Sequence, residues 1–135
     1  MCRPLAWGVG AAAFALFASG AAGQSSEPGD PKPYRVVEGA VDPGTFNGYR
    51  RYHATCSHCH GPDGMGSSFG RSLIDRPLPF DAFVEVVRVG AMRGSAVMKG
   101  FADDPNVGPH IHDIYAYLRA RADGALGRGR PRRLE

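Results

Sequence analysis

The five consecutive residues Cys56-Ser57-His58-Cys59-His60 are those whose types and spacing can do chemistry. Two thiols separated by two residues and followed at once by an imidazole form the C-x-x-C-H pattern of covalent haem attachment. The spacing has a physical basis: the thiols reach the two vinyl groups on one haem edge, and the next residue is delivered to the iron. Two other chemistries share part of the pattern. A redox-active C-x-x-C pair usually sits at a helix start in a strand-rich fold, and this sequence has no strand run of any weight. Half of a zinc site would need two further ligands at suitable spacing. His110 and His112 do not supply them, because residues two apart on a helix do not share a face. His53 and His58 have no evident partners, and His53 is a second-best axial candidate.

A ligand on the other side of the iron decides between a carrier and a catalyst. A Met there closes the iron to small molecules and raises its potential, whereas an open position binds them. Past residue 23 the chain offers Met65, Met92 and Met98. Met65 follows His60 too closely to reach round to the opposite haem face. Met92 ends a helix, where methionine more often fills a core. Met98 lies in an irregular stretch free to drape across the distal side, so it is the expected ligand.

These residues must be positioned by the elements around them. Asp42-Pro43 reads as a helix start, with Asp as cap and Pro at the first helical position, and the helix is expected to run from Pro43 to about Thr55. Gly48 and Tyr52 share one of its faces, and the glycine leaves room for another helix to cross. Residues 61–80 are punctuated by Gly and Pro and read as a loop wrapped on something. A second helix, capped by Asp81, carries Phe83, Val86 and Val87 and stops near Gly90. Residues 91–108 read as irregular. The last helix, from about Pro109 to Gly124, has Ile111, Ile114, Tyr115 and Leu118 at the spacing of one buried stripe. The fold class is all-α: three main helices with long loops wrapped around one covalent haem, which supplies the core that so small a domain lacks.

The flanks read differently. Residues 1–23 begin with Arg3, run apolar from Leu5 to Ala18 and end in small residues, the order of a secretory signal cleaved near Ala22/Gly23. Export to the periplasm follows, with no transmembrane anchor in the mature form and with Cys2 removed. Residues 24–42 read as a flexible leader, residues 43–124 as the domain, and residues 125–135 as a basic disordered tail. The formal net charge of +3 is unevenly spread: residues 24–118 hold nine basic and eleven acidic side chains, and six arginines fall in residues 119–135. A basic tail on a slightly acidic body does not read as a nucleic-acid binder. Arg88, Arg93 and Lys99 are placed to ring an exposed haem edge and steer a negatively charged partner.

At this point the chain resembles the class I cytochromes c. The residues that carry the resemblance are Gly48 and Tyr52 ahead of C-x-x-C-H, the stretch Met98-Lys99-Gly100-Phe101, and Ala116-Tyr117-Leu118 in the last helix. The resemblance covers about residues 43–124 and implies that the first and last helices cross at Gly48 near Tyr117. The family often has Gly-Pro-x-Leu after the haem motif, its Pro carbonyl accepting from the proximal histidine; here the run is Gly70-Arg71-Ser72-Leu73, which leaves that role to the Arg71 carbonyl.

A narrower similarity lies in Tyr49-Arg50-Arg51-Tyr52-His53, in Val97 to Val107 and in Asp113 to Pro131, which look like the small periplasmic cytochromes associated with methanol metabolism. It implies one haem c held by Cys56 and Cys59 with His60 and Met98 as axial ligands, a quinoprotein (PQQ-dependent) alcohol dehydrogenase as donor, and a downstream cytochrome or oxidase as acceptor. The expected function is electron transfer, not enzymatic catalysis. The alternatives are a haem enzyme or gas sensor with an open iron, and an electron-transfer subunit of a larger oxidoreductase.

Overall fold

The computed structural model describes residues 32–135. The expected signal peptide and the start of the leader lie outside the described residues. The elements in chain order are β1 (Val36–Val37), β2 (Ala40–Val41), α1 (Pro43–Arg51), a π-helical turn (Tyr52–Cys56), α2 (Ser57–His60), α3 (Phe80–Val89), β3 (Gly90–Arg93), β4 (Ala96–Lys99), α4 (Ile111–Ala122) and β5 (Arg132–Arg133). Short 3-10 turns at Pro62–Gly64 and Gly108–His110 follow α2 and precede α4.

The Asp42 cap forms as its sequence dictates. Its carboxylate accepts from the Thr45 backbone N–H at 2.9 Å, the Thr45 hydroxyl at 2.7 Å and the Arg35 N–H at 2.8 Å, with Pro43 in the first turn. The helical track does not stop at Thr55. It widens into the π turn, resumes in α2 and ends only at Gly61, whose φ of +71° turns the chain away. The whole C-x-x-C-H motif therefore rides on helix, and π turns of this kind concentrate at functional sites.

α1 crosses α4 at Gly48. A Cβ there would lie 1.8 Å from the Asp113 carbonyl oxygen, so the contact is backbone against backbone. The expected crossing partner, Tyr117, packs one turn further along, with its ring 5.5 Å from Tyr49 and 5.6 Å from Tyr52. α4 is buried on more than one stripe: beside Ile111, Ile114 and Leu118 it hides Ala116, Tyr117, Ala120 and Arg121, while Tyr115 stays half-buried. Tyr49 and Tyr52 cover Tyr117, and the tail reaches Ala120 and Arg121 through Leu126. α3 starts at Phe80 with Asp81 in its first turn, not at the cap, and buries Phe83 and Val87.

Two expectations are corrected. Residues 91–108 are not irregular throughout, because Gly90 to Lys99 form an antiparallel hairpin pairing Ala91 with Met98 and Met92 with Val97. Gly90, with φ of +92°, carries the chain straight from α3 into the strand, and a two-residue turn at Gly94-Ser95 closes it. Four-residue strands of mixed composition leave no alternation long enough to read.

The tail, too, is ordered. β5 pairs parallel with β2 in a three-stranded sheet of order β1-β2-β5, and Leu126 and Pro131 are buried. Arg121 donates to the Leu126 carbonyl at 2.7 Å, and Arg130 lies over the Phe46 ring at 5.5 Å. The tail is held by polar anchors, whereas composition weighs mainly apolar burial. The same sheet orders the end of the leader, where Tyr34, Ala40 and Val41 are buried.

Candidate haem site

Cys56 closes the π turn and is half-buried; Cys59 sits in α2 and is exposed. Both thiols are free. Burial pushes the Cys56 thiol up to about 11, with smaller like-charge contributions from Asp104 and Cys59. A thiol so raised, inside a helix and not at its N-terminus, is the opposite of the acidic nucleophile that a redox C-x-x-C pair requires.

His60 is the last residue of α2. Its Nδ1 lies 2.9 Å from the Arg71 carbonyl oxygen, as the Gly70-Arg71-Ser72-Leu73 run requires. A proton held there leaves Nε2 as the nitrogen available to a metal. The turn that aims the ring is tied down from inside by Tyr52, which is fully buried. Its hydroxyl donates to the Gly61 carbonyl at 2.6 Å and accepts from the Gly64 N–H at 3.1 Å. Desolvation by burial raises this phenol well above its ordinary value, keeping it a donor. From outside, the Ser67 hydroxyl donates to the Cys59 carbonyl, and Gly66 N–H to the His60 carbonyl at 2.7 Å.

Of the methionines, Met98 packs half-buried against the core from β4. Met92 is 78% exposed on the facing strand, not core filler at a helix end, and Met65 is 45% exposed. Met65 is also a neighbour of Arg121, whose guanidinium lies 3.8 Å from its sulfur. His110 and His112 go to different partners: His110 Nδ1 is 3.1 Å from the Asn47 amide and 3.6 Å from the Asp113 carboxylate, while His112 packs on Phe80 with ring centroids 4.6 Å apart. His58 Nδ1 is 3.1 Å from the Thr55 carbonyl.

Asp63 is the residue that sequence reasoning missed. It is buried, takes a left-handed φ of +57°, and stands where the haem-motif loop meets the tail. Its carboxylate accepts from Gly129 N–H at 3.2 Å, Arg128 Nε at 3.3 Å and the Tyr117 hydroxyl at 3.3 Å, and lies 3.5 Å from His53 Nε2. Burial alone would raise its pKa, but the Gly129, Arg128 and Tyr117 hydrogen bonds and the Arg121 charge together hold it below the usual carboxylate range. No motif marks it; the signal would have been one acidic residue among glycines facing a tail of arginines.

These residues fit a haem. Two free thiols and an imidazole with one nitrogen engaged stand on one helical track. Met98, Phe101, Leu73, Ile74 and Leu78 remain half-covered around a buried floor of Phe83, Val87 and Leu118. Apolar chains left half-covered are what a flat apolar group completes. Leu73, Leu78, Phe83, Tyr115 and Leu118 already line one small pocket.

Residues 45–118 match the family model described as cytochrome c oxidase, cbb3-type, subunit III. Among curated proteins, the chain is 45% identical over 109 residues to cytochrome c-553I of Paracoccus denitrificans, covering 76% of this chain and 48% of that protein. The match thus spans about half the length of that relative. Cytochrome c-555 of Methylococcus capsulatus is 35% identical over 92 residues, covering 66% of this chain and 72% of that one. Among solved structures, the c-type cytochrome XoxG from Methylobacterium extorquens AM1 superposes with a TM-score of 0.68 at 37% identity, over 79% of this chain and 76% of that chain. The chain belongs to the matched family of c-type cytochromes, and it is a class I cytochrome c, an electron carrier whose cofactor is covalent haem c.

Proposed function

We propose that Cys56 and Cys59 hold the haem as thioethers, that His60 and Met98 are its axial ligands, and that the protein works in the periplasm. There it takes electrons from a quinoprotein methanol or other alcohol dehydrogenase and passes them to a downstream cytochrome or oxidase. The observation that carries the site assignment is the free thiol pair set beside an imidazole whose Nδ1 is engaged by the Arg71 carbonyl.

Bound haem supplies a one-electron ferrous/ferric couple whose potential follows from its axial ligands and its burial. The chain's own residues do the rest. The Arg71 carbonyl fixes the His60 tautomer and ring plane, and Tyr52 keeps the turn after His60 from shifting. Met98 comes from a strand paired along its length, so its position is set by hydrogen bonds to β3 and not by a free loop. Leu73, Ile74, Leu78 and Phe101, half-covered in the chain alone, would exclude water once packed against the haem.

The donor rests on the resemblance of residues 49–53, 97–107 and 113–131 to methanol-associated cytochromes, alongside relatives from Methylococcus and Methylobacterium. Export rests on the N-terminal charge, apolar stretch and small-residue order. No helix among the described residues is long and apolar enough to cross a membrane. The test is to mix the ferric holoprotein with purified PQQ-dependent methanol dehydrogenase and methanol and to follow haem reduction. Reduction within the turnover time of the dehydrogenase is expected. No reduction, with ascorbate still reducing the haem, would refute the donor.

A further inference from the structure

The β3–β4 hairpin exposes an apolar pair that the fold does not use. Met92 and Val97 face each other across the strands and are 78% and 71% exposed. Side chains alternate along a strand, so this pair lies on the face opposite Met98, the one that packs inward. Val89, where α3 enters the hairpin, is 69% exposed as well. A two-stranded hairpin is marginal in water, and one that turns its larger apolar side chains outward calls for something to cover them.

Charge says what kind of surface that is. Arg88, Arg93 and Lys99 are all exposed, and none is in an ion pair among the described residues. From Val86 to Ala102 the chain has no acidic residue. By the same alternation Lys99 shares the outer face with Met92 and Val97, while Arg93 stands near the turn on the Met98 side; Arg88 ends α3 one turn from the exposed Glu85, and every charge on the hairpin itself is positive. A second copy of this chain, docked through the same face, would set like charges against each other.

We propose that the outer face of the β3–β4 hairpin is the docking surface for the electron-donating protein, through an apolar spot on that partner rimmed by carboxylates. This rests on the electron-transfer reading above. The hairpin that carries Met98 on its inner face then carries the donor on its outer face, and the partner's covering of Met92 and Val97 supplies the apolar centre of an interface with a charged rim.

The test is stopped-flow reduction of the ferric holoprotein by methanol dehydrogenase with methanol, and in parallel by flavodoxin hydroquinone, an acidic electron donor. For wild type the second-order rate constant should fall about tenfold between low and physiological ionic strength. With Arg88→Glu, Arg93→Glu and Lys99→Glu combined, the slope should change sign. Met92→Ser with Val97→Ser should raise the half-saturating donor concentration about tenfold and leave the salt slope unchanged. Val37→Ser, at an exposed valine on β1, and reduction by ascorbate should show no change. An unaltered haem spectrum confirms that each variant is folded.

A charge-reversed variant that keeps the wild-type rate and slope with both donors overturns the proposal, as does a wild-type rate flat in salt with both. Failure of the dehydrogenase alone, with flavodoxin behaving as expected, refutes the donor and leaves the docking face standing. A dimer abolished by Met92→Ser and Val97→Ser, or co-sedimentation with anionic vesicles lost on charge reversal, would give the face to another occupant and overturn the proposal.

Discussion

Replacing Gly48 with Ala adds one methyl group where none fits. The new Cβ would lie 1.8 Å from the Asp113 carbonyl oxygen and 2.9 Å from the Ile114 nitrogen. A carbon and an oxygen need about 3.2 Å, so the helices must separate by about 1.4 Å, and close-packed interiors do not yield that freely. Both obstructing atoms are backbone, so no side-chain rotation relieves the clash. Overpacking of this kind costs about 3 kcal/mol, while removing a glycine from a helix returns about 1 kcal/mol. The net loss is about 2 kcal/mol, which for a domain of this size lowers the melting temperature by about 8–16 °C. Thermal unfolding of the holoprotein followed in the Soret band reads it directly. Equal or higher stability of Gly48→Ala would show that α1 and α4 do not meet backbone to backbone, and the crossing described here would be wrong.

Two further outcomes follow from the site. Met98→Ala should give a high-spin or water-ligated ferric spectrum and let carbon monoxide bind the ferrous protein, whereas Met92→Ala, at an outward-facing position, should leave both spectra unchanged; the reverse pattern would reassign the ligand. Asp63→Asn removes the ion pair with Arg128 and should cost about 1–3 kcal/mol at pH 7 in denaturant unfolding. Because the folded Asp63 lies below its ordinary value of 3.8, its contribution is fully present above that pH and is lost as pH falls through the folded value. The gap between wild type and Asp63→Asn should therefore close only in that acid range, and a gap constant down to pH 2 would sink the assignment.

The motif, the Asp42 cap and the crossing glycine were legible because each is a local signal: fixed spacing, a cap residue before proline, a missing side chain on a helix face. Arg71 was legible by its position after Gly70, since a carbonyl serves whatever side chain its residue carries. The hairpin was not, because Met92 and Val97 invert the usual apolar-in pattern and the strand signal is only four residues long on each side. Nor was the tail, whose order depends on pairs such as Arg128 with Asp63, far apart in sequence and visible only once the chain has folded back. The helix end was placed early for a related reason: Ser, His and Cys are poor helix formers, and the contacts of buried Tyr52 with Gly61 and Tyr117 hold the helical track through the π turn and α2 to His60.

The pairing of β5 with β2 means that Arg132 and Arg133 are stitched to the residues just ahead of the first helix. A polypeptide emerging from its N-terminus can make α1 and even α4 before that stitch exists, but it cannot close the small sheet until Arg133 has arrived. The two segments thereafter share one fate: fraying that starts at either must open the same few pairs, so each protects the other, and a pull on Arg132 and Arg133 is felt first beside Asp42.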